Sequence, residues 1–145
     1  MKPNEKHLEF VQNSITRMNQ CSFQMKGWSL TISSALIAIF VSSISSDNTL
    51  ENRFYILSAI ITTFLFWGLD SMYLSKERKF IGIYNDLIGV SNGKTQKRIE
   101  IQEFEMPLKK YKGWKYCIVF SALSPSEILF YGSIIIGLIV FYKVI

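Results

Sequence analysis

Three stretches of this 145-residue chain carry almost no charge, and they limit its fold more than any other feature. Residues 29–46 contain no Asp, Glu, Lys or Arg, residues 54–75 contain only Asp70, and residues 116–142 contain only Glu127. The hydrocarbon core of a bilayer is about 30 Å thick, which a helix of about 20 mainly apolar residues crosses. Each stretch reaches that length. Packed as core helices of a soluble domain, the three would leave too little polar chain to cover them. The expectation is an all-α membrane protein. The overall apolar fraction of 49% is ordinary because the charge is gathered between the stretches. Polar, helix-like sequence precedes the first stretch, so it does not read as a cleaved signal peptide. Trp28, Phe54, Tyr55, Trp67, Tyr73, Trp114, Tyr131 and Tyr142 fall at or near the ends of the stretches, where amphipathic rings suit a membrane interface.

Lysine and arginine give the orientation. Residues 75–115 hold ten cations against the acids Glu77, Asp86, Glu100, Glu103 and Glu105, a surplus equal to the +5 of the whole chain. The N-terminal arm adds Lys2, Lys6, Arg17 and Lys26, whereas the connector 46–53 has only Arg53 beside Asp47 and Glu51. The positive-inside bias places the arm and the central segment in the cytoplasm and the connector outside.

Periodicity then divides the chain. A helical arm is expected over 4–27, started at Pro3 and Asn4, with Leu8, Val11, Ile15, Met18 and Met25 at helical spacing and Ser22 interrupting. Span 1 covers 28–46 and span 2 covers 53–75. The second helix continues into the cytoplasm over 76–90, where Tyr73, Phe80, Tyr84 and Leu87 extend its stripe. A connector this short makes the two antiparallel. The result is a long helical hairpin with both spans extended into the cytoplasm. SNGKT at 91–95 marks a turn. The rest of a loop to residue 107 reads as a short strand or an extended linker. Residues 108–123 mix lysines and aromatics as an interfacial helix does, and a third, C-terminal span covers 126–144.

One histidine and two distant cysteines exclude a Cys/His zinc site and a Ser-His-Asp enzyme within one chain. There is no phosphate-cradling glycine loop, so neither an enzyme nor a bound cofactor or metal is expected. His7 lies on a polar arm and reads as solvated. Cys21 and Cys117, both cytoplasmic in this topology, are expected to stay reduced. Asp70 costs energy in a span unless it is paired or faces a cavity; it reads either as an ion pair with Lys26 or as a charge at a pore mouth. Ser34, Ala38, Ser42 and Ser46 repeat every four residues beside Thr31 and Ala35. They suit close helix packing or a hydroxyl-lined water path, to which Thr62 and Thr63 can add. A single hairpin is too small to enclose a pore, so conduction would need several copies. The basic segment offers Lys94, Lys97, Arg98, Lys109, Lys110, Lys112, Trp114 and Lys115, cations with stackable rings. These suit anionic lipid headgroups, a nucleotide or single-stranded oligonucleotide, or an acidic partner protein.

Three stretches carry a resemblance: NSITRMNQCSFQMKGWSLTISSAL, FWGLDSMYLSKERKFIGIYNDL and YKGWKYCIVFSALSPSEILFYG. A helical arm leads through GWS into the first span. F-W-x-L-D-x-x-Y-L-x-x-E-R leaves the second, at Trp67, Asp70, Tyr73, Glu77 and Arg78. A tryptophan-bearing segment precedes the F-Y start of the last. This resembles the SLATT-like small bacterial membrane effectors of antiphage defence, particularly those of the Hailong type. The resemblance implies an inner-membrane protein that assembles into a homo-oligomer, a tetramer as expected here, and permeabilises the membrane in abortive infection. It implies gating by a nucleotide or oligonucleotide from a partner nucleotidyltransferase; in the Hailong type a DNA oligomer holds the channel shut. The alternatives are a non-conducting membrane anchor that recruits a cytoplasmic partner and a holin-like toxin that needs no ligand.

Overall fold

In the computed structural model, residues 4–43, 49–90 and 99–144 are described. Helix α1 runs Glu5–Ser43 and α2 runs Thr49–Ile88. Two 3-10 turns follow at Leu108–Lys110 and Trp114–Tyr116, then a short α3, Ile118–Ala122, and α4, Pro125–Val144. Among the described residues there is no strand. Three of these helices, α1, α2 and α4, are long and apolar enough to cross a membrane.

Helices α1 and α2 lie side by side in opposite directions. Phe40 packs with Ile56, the Ser33 and Thr63 hydroxyls lie 3.1 Å apart, Lys26 meets Asp70, and Val11 packs with Ile83. The sequence does this by keeping its inward residues on one face of each helix, at whole-turn spacings. On α1 these are Val11, Ser22, Ser29, Ser33 and Phe40; on α2 they are Ile56, Ala59, Thr63, Asp70 and Ile83. Thr63 donates to Ala59 O at 2.8 Å, which leaves Ser33 as the donor in the cross-helix pair.

Two apolar clusters sit at opposite ends of this pair. One gathers Phe40, Ile56, Ala59 and Leu138, so α4 closes on the α1–α2 seam there. The other gathers Val11, Phe80, Ile83, Tyr111 and Tyr116, with Ile15, Met18, Tyr84 and Leu87 against it. The arm stripe and the α2 extension stripe are thus one packed surface, and its outer layer is the chain that follows α2.

That following chain corrects two expectations. Residues 108–123 do not form one helix. Gly113, at φ 133°, occupies a conformation closed to L side chains and separates the two 3-10 turns, and Cys117 is extended before α3. Residues 99–107 form an irregular linker with a turn at 103–104. It is tied down by the residue read as solvated: His7 is buried, stacks on Phe104 at 5.7 Å, accepts the Phe104 N–H at 3.3 Å and lies 3.2 Å from Glu105 O. Phe104 has φ 62°, the left-handed region that a non-glycine residue enters at a cost, and the ring contact with His7 helps to hold it there.

Candidate functional site

Halfway along the α1–α2 pair, three helices each bring one charged side chain to one point. Lys26 lies on the inward face of α1, four residues past Ser22 and three before Ser29. Asp70 lies on the inward face of α2, seven residues past Thr63. Glu127 is in the first turn of α4, four residues before Tyr131. Lys26 Nζ is 2.5 Å from Asp70 Oδ2 and 2.6 Å from Glu127 Oε1, and it also donates to Ser22 Oγ at 3.2 Å. Tyr131 donates its hydroxyl to Asp70 Oδ2 at 3.0 Å, and its ring centroid is 6.0 Å from Nζ. The carboxylates are 0% and 1% exposed and the lysine 21%. Asp70 Oδ1, Glu127 Oε2 and Ser29 Oγ are buried without a hydrogen-bond partner among the described residues.

Aromatic packing fixes this cluster. Trp67 and Tyr131 are stacked 5.9 Å apart and nearly parallel, at 11°. Trp67 Nε1 donates to Ala122 O at 3.2 Å, which ties the end of α3 to the same place. Both rings were expected at a membrane interface; within the chain Tyr131 is fully buried and Trp67 half-buried between helices. A buried ion cluster held this way selects one arrangement of three helices, because separating any pair strands a charge.

The second constellation is the chain from Leu108 to Tyr116. Its tyrosines point in and its lysines point out. Tyr111 donates to Asp86 Oδ2 at 2.5 Å and meets Tyr116 edge-on at 5.7 Å. Ser75 donates to Tyr116 O at 2.7 Å. Gly82 lets the rings touch the α2 backbone: a Cβ there would stand 2.8 Å from the Tyr111 ring. Burial and the Asp86 carboxylate push the Tyr111 hydroxyl well above its ordinary range. Lys109, Lys110, Lys112, Trp114 and Lys115 are all exposed on this scaffold. Lys110 pairs with Glu105 at 3.0 Å and, with the Gln102 N–H, holds that carboxyl below the usual range. Arg78 spans from Lys115 O to the Phe120 ring, beside Trp114. Lys94, Lys97 and Arg98 lie outside the described residues.

The third feature is the face of α1 turned directly away from α2. Thr16, Gln20, Gln24, Gly27, Thr31, Ser34, Ala35, Ala38 and Ser42 are exposed along it at three- and four-residue spacing. A shallow groove runs from Ile15 through Phe23 and Gln24 to Thr31. Beside this face α1 exposes Phe23, Leu30, Ile39 and Val41, and the free faces of α2 and α4 expose Leu57, Ile61, Leu65, Leu129, Ile136 and Val140. Thr62 is half-buried on α2 and does not share the α1 face. Of the four residues expected at a pore, Ser34 and Ser42 therefore lie together, and Asp70 lies inside the ion cluster.

Sequence reasoning missed Glu127 as a partner of Lys26, although it is the lone charge of the third stretch. The available signal was its place in the first turn of a helix, where the macrodipole favours a carboxylate. Cys21 and Cys117 are free thiols, and no group of metal-ligating side chains occurs among the described residues. Comparison with protein-family models, with curated proteins and with solved structures finds no match to this chain.

Proposed function

We propose that the chain assembles with copies of itself, as a tetramer, into an ion-conducting pore of the bacterial inner membrane, an effector of antiphage defence. The observation that carries this reading is the outward face of α1. Lipid favours apolar side chains, and α2 and α4 present them. Over that depth the α1 face presents Thr31, Ser34, Ala35, Ala38 and Ser42, flanked by Leu30, Ile39 and Val41. Small residues let backbones approach across a helix contact, and Thr31, Ser34 and Ser42 already satisfy their hydroxyls on backbone carbonyls at 2.9, 2.9 and 2.8 Å. Their oxygens remain free to accept from water or from a neighbouring copy. In this reading the α1 faces of several copies surround a common axis. The Phe40–Ile56 half of the hairpin lies in lipid, and the Val11–Ile83 half, with the N-terminus, lies in the cytoplasm.

The gate belongs to the lysine-bearing chain. A nucleotide or single-stranded oligonucleotide from a partner nucleotidyltransferase binds Lys109, Lys110, Lys112, Trp114 and Lys115, with phosphates on the cations and a base on Trp114, which is 71% exposed. The same exposed lysines support the second reading, a non-conducting anchor for an acidic cytoplasmic partner.

Planar-bilayer recording separates the two. Cys21 and Cys117 are first replaced by serine. Conductance blocked by a thiol reagent at Ser34→Cys or Ser42→Cys, and unaffected at Leu65→Cys, is the expected result. A monomeric particle, or one that never conducts, refutes the pore. Charge reversal at Lys109, Lys110 and Lys112 is expected to abolish oligonucleotide binding that otherwise weakens steeply with salt; unchanged binding removes this segment from the gate.

A further inference from the structure

The Lys26 cluster holds a charge imbalance that its own side chains do not settle. Two carboxyl groups, Asp70 and Glu127, face one ammonium. Each gives Lys26 one oxygen, and Tyr131 uses the same Asp70 oxygen. The other two carboxyl oxygens are buried and unpartnered among the described residues. Held on one nitrogen at 2.5 and 2.6 Å, the two carboxyl groups are close neighbours. Two carboxylates are acceptors only, and as like charges they repel each other across that nitrogen. The further charges nearby do not correct the count. Glu77 of α2 adds negative potential, Arg78 is engaged with Lys115 O and the Phe120 ring, and Tyr131 of α4 is neutral.

We propose that Asp70 and Glu127 bind one proton between them, and that this proton fastens the foot of α4 to the α1–α2 pair. With the proton in place, one of the two carboxyl groups is neutral. The pair then carries a single negative charge, which Lys26 balances. The proton comes from water and returns to water past the Lys26 side chain, the partly exposed member of the cluster. Without it, two like charges within about 5 Å of each other share one lysine, and a net negative charge is left buried among three helices. The Glu127 contact becomes repulsive, and the first turn of α4 separates from α2. This inference is independent of the pore reading: it holds for an anchor equally.

The test is infrared difference spectroscopy of the full chain in phosphatidylethanolamine–phosphatidylglycerol vesicles. At pH 7 the spectrum is expected to show a buried carboxylic-acid carbonyl band that shifts in heavy water and disappears as pH rises. Glu127→Gln and Asp70→Asn each remove it. The glutamine variant keeps the shape of the site, so the test survives if Asp70→Asn fails to fold. In a Trp28→Phe/Trp114→Phe background, Trp67 emission reports its stack on Tyr131 and is expected to change with the same midpoint. Glu127→Gln abolishes that change. Absence of the acid band at pH 7 overturns the proposal. A midpoint that moves when choline replaces sodium overturns it in favour of a bound metal ion. A Trp67 transition that persists in Glu127→Gln overturns the link to α4.

Discussion

Replacing Lys26 with methionine removes one charge and little else, because the methionine stem fills the space of the lysine methylenes. It leaves Asp70 and Glu127, 0% and 1% exposed, with no cation. Breaking a buried ion pair from one side costs about 3–5 kcal/mol. Proton uptake limits the penalty, since neutralising an ordinary carboxyl at pH 7 takes about 4 kcal/mol. Lys26 is itself 21% exposed, so water relieves part of the imbalance, and the expected loss is about 3 kcal/mol. The assay is denaturant unfolding in detergent micelles, followed by tryptophan emission. The loss should shrink on acidification by up to about 1.4 kcal/mol per pH unit, because protons then become cheaper to bind. The triple variant with Asp70→Asn and Glu127→Gln should recover most of it, having no stranded charge. A Lys26→Met protein as stable as its parent, or a deficit that stays constant between pH 7 and pH 5, refutes the reasoning.

Three further outcomes follow from the lysine-bearing chain. Gly82→Ala places a Cβ 2.8 Å from the Tyr111 ring and 2.9 Å from the Tyr116 hydroxyl; overpacking of about 1–3 kcal/mol should loosen residues 108–116, seen as faster tryptic cleavage at Lys109, Lys110 and Lys112. Tyr111→Phe strips a hydrogen bond from buried Asp86, a loss of about 1–3 kcal/mol by the same unfolding assay. The Tyr111 hydroxyl is raised in the folded state, so its contribution is complete below about pH 10 and declines as pH climbs further; the gap between parent and Tyr111→Phe should close there. His7→Ala removes the acceptor of the Phe104 N–H and should raise hydrogen exchange over 99–107 while leaving the Lys26 cluster protected.

The long elements were legible because they rest on one-dimensional signals. Charge-free runs mark α1, α2 and α4, and the stripes Val11–Ile15–Met18 and Phe80–Tyr84–Leu87 do pack on each other. The Lys26–Asp70 contact follows from an antiparallel register once the connector is short. What was not legible depends on a third element arriving. His7 reads as solvated on α1 alone, and its burial comes from Phe104 and Glu105, 97 and 98 residues away. Tyr131 and Trp67 have the composition of interface rings, and only the path of α4 turns them inward. The broken helix at 108–123 reflects Gly113 and the demand that Tyr111 and Tyr116 both reach Gly82. A lysine-aromatic pattern carries no such information.

The lengths of α1 and α2 have a mechanical meaning. At 39 and 40 residues and 1.5 Å per residue, each is a rod of about 60 Å, twice the thickness of a hydrocarbon core. Neither contains proline, so neither has the usual hinge at which its halves would bend apart. Lys26 and Asp70 stand close to the midpoint of their rods, with the Val11–Ile83 cluster toward one end and the Phe40–Ile56 cluster toward the other. The ion cluster therefore sits midway between the two apolar clusters. The rods are thus braced at three points, by an apolar cluster toward each end and by one ammonium and two carboxyl groups between them.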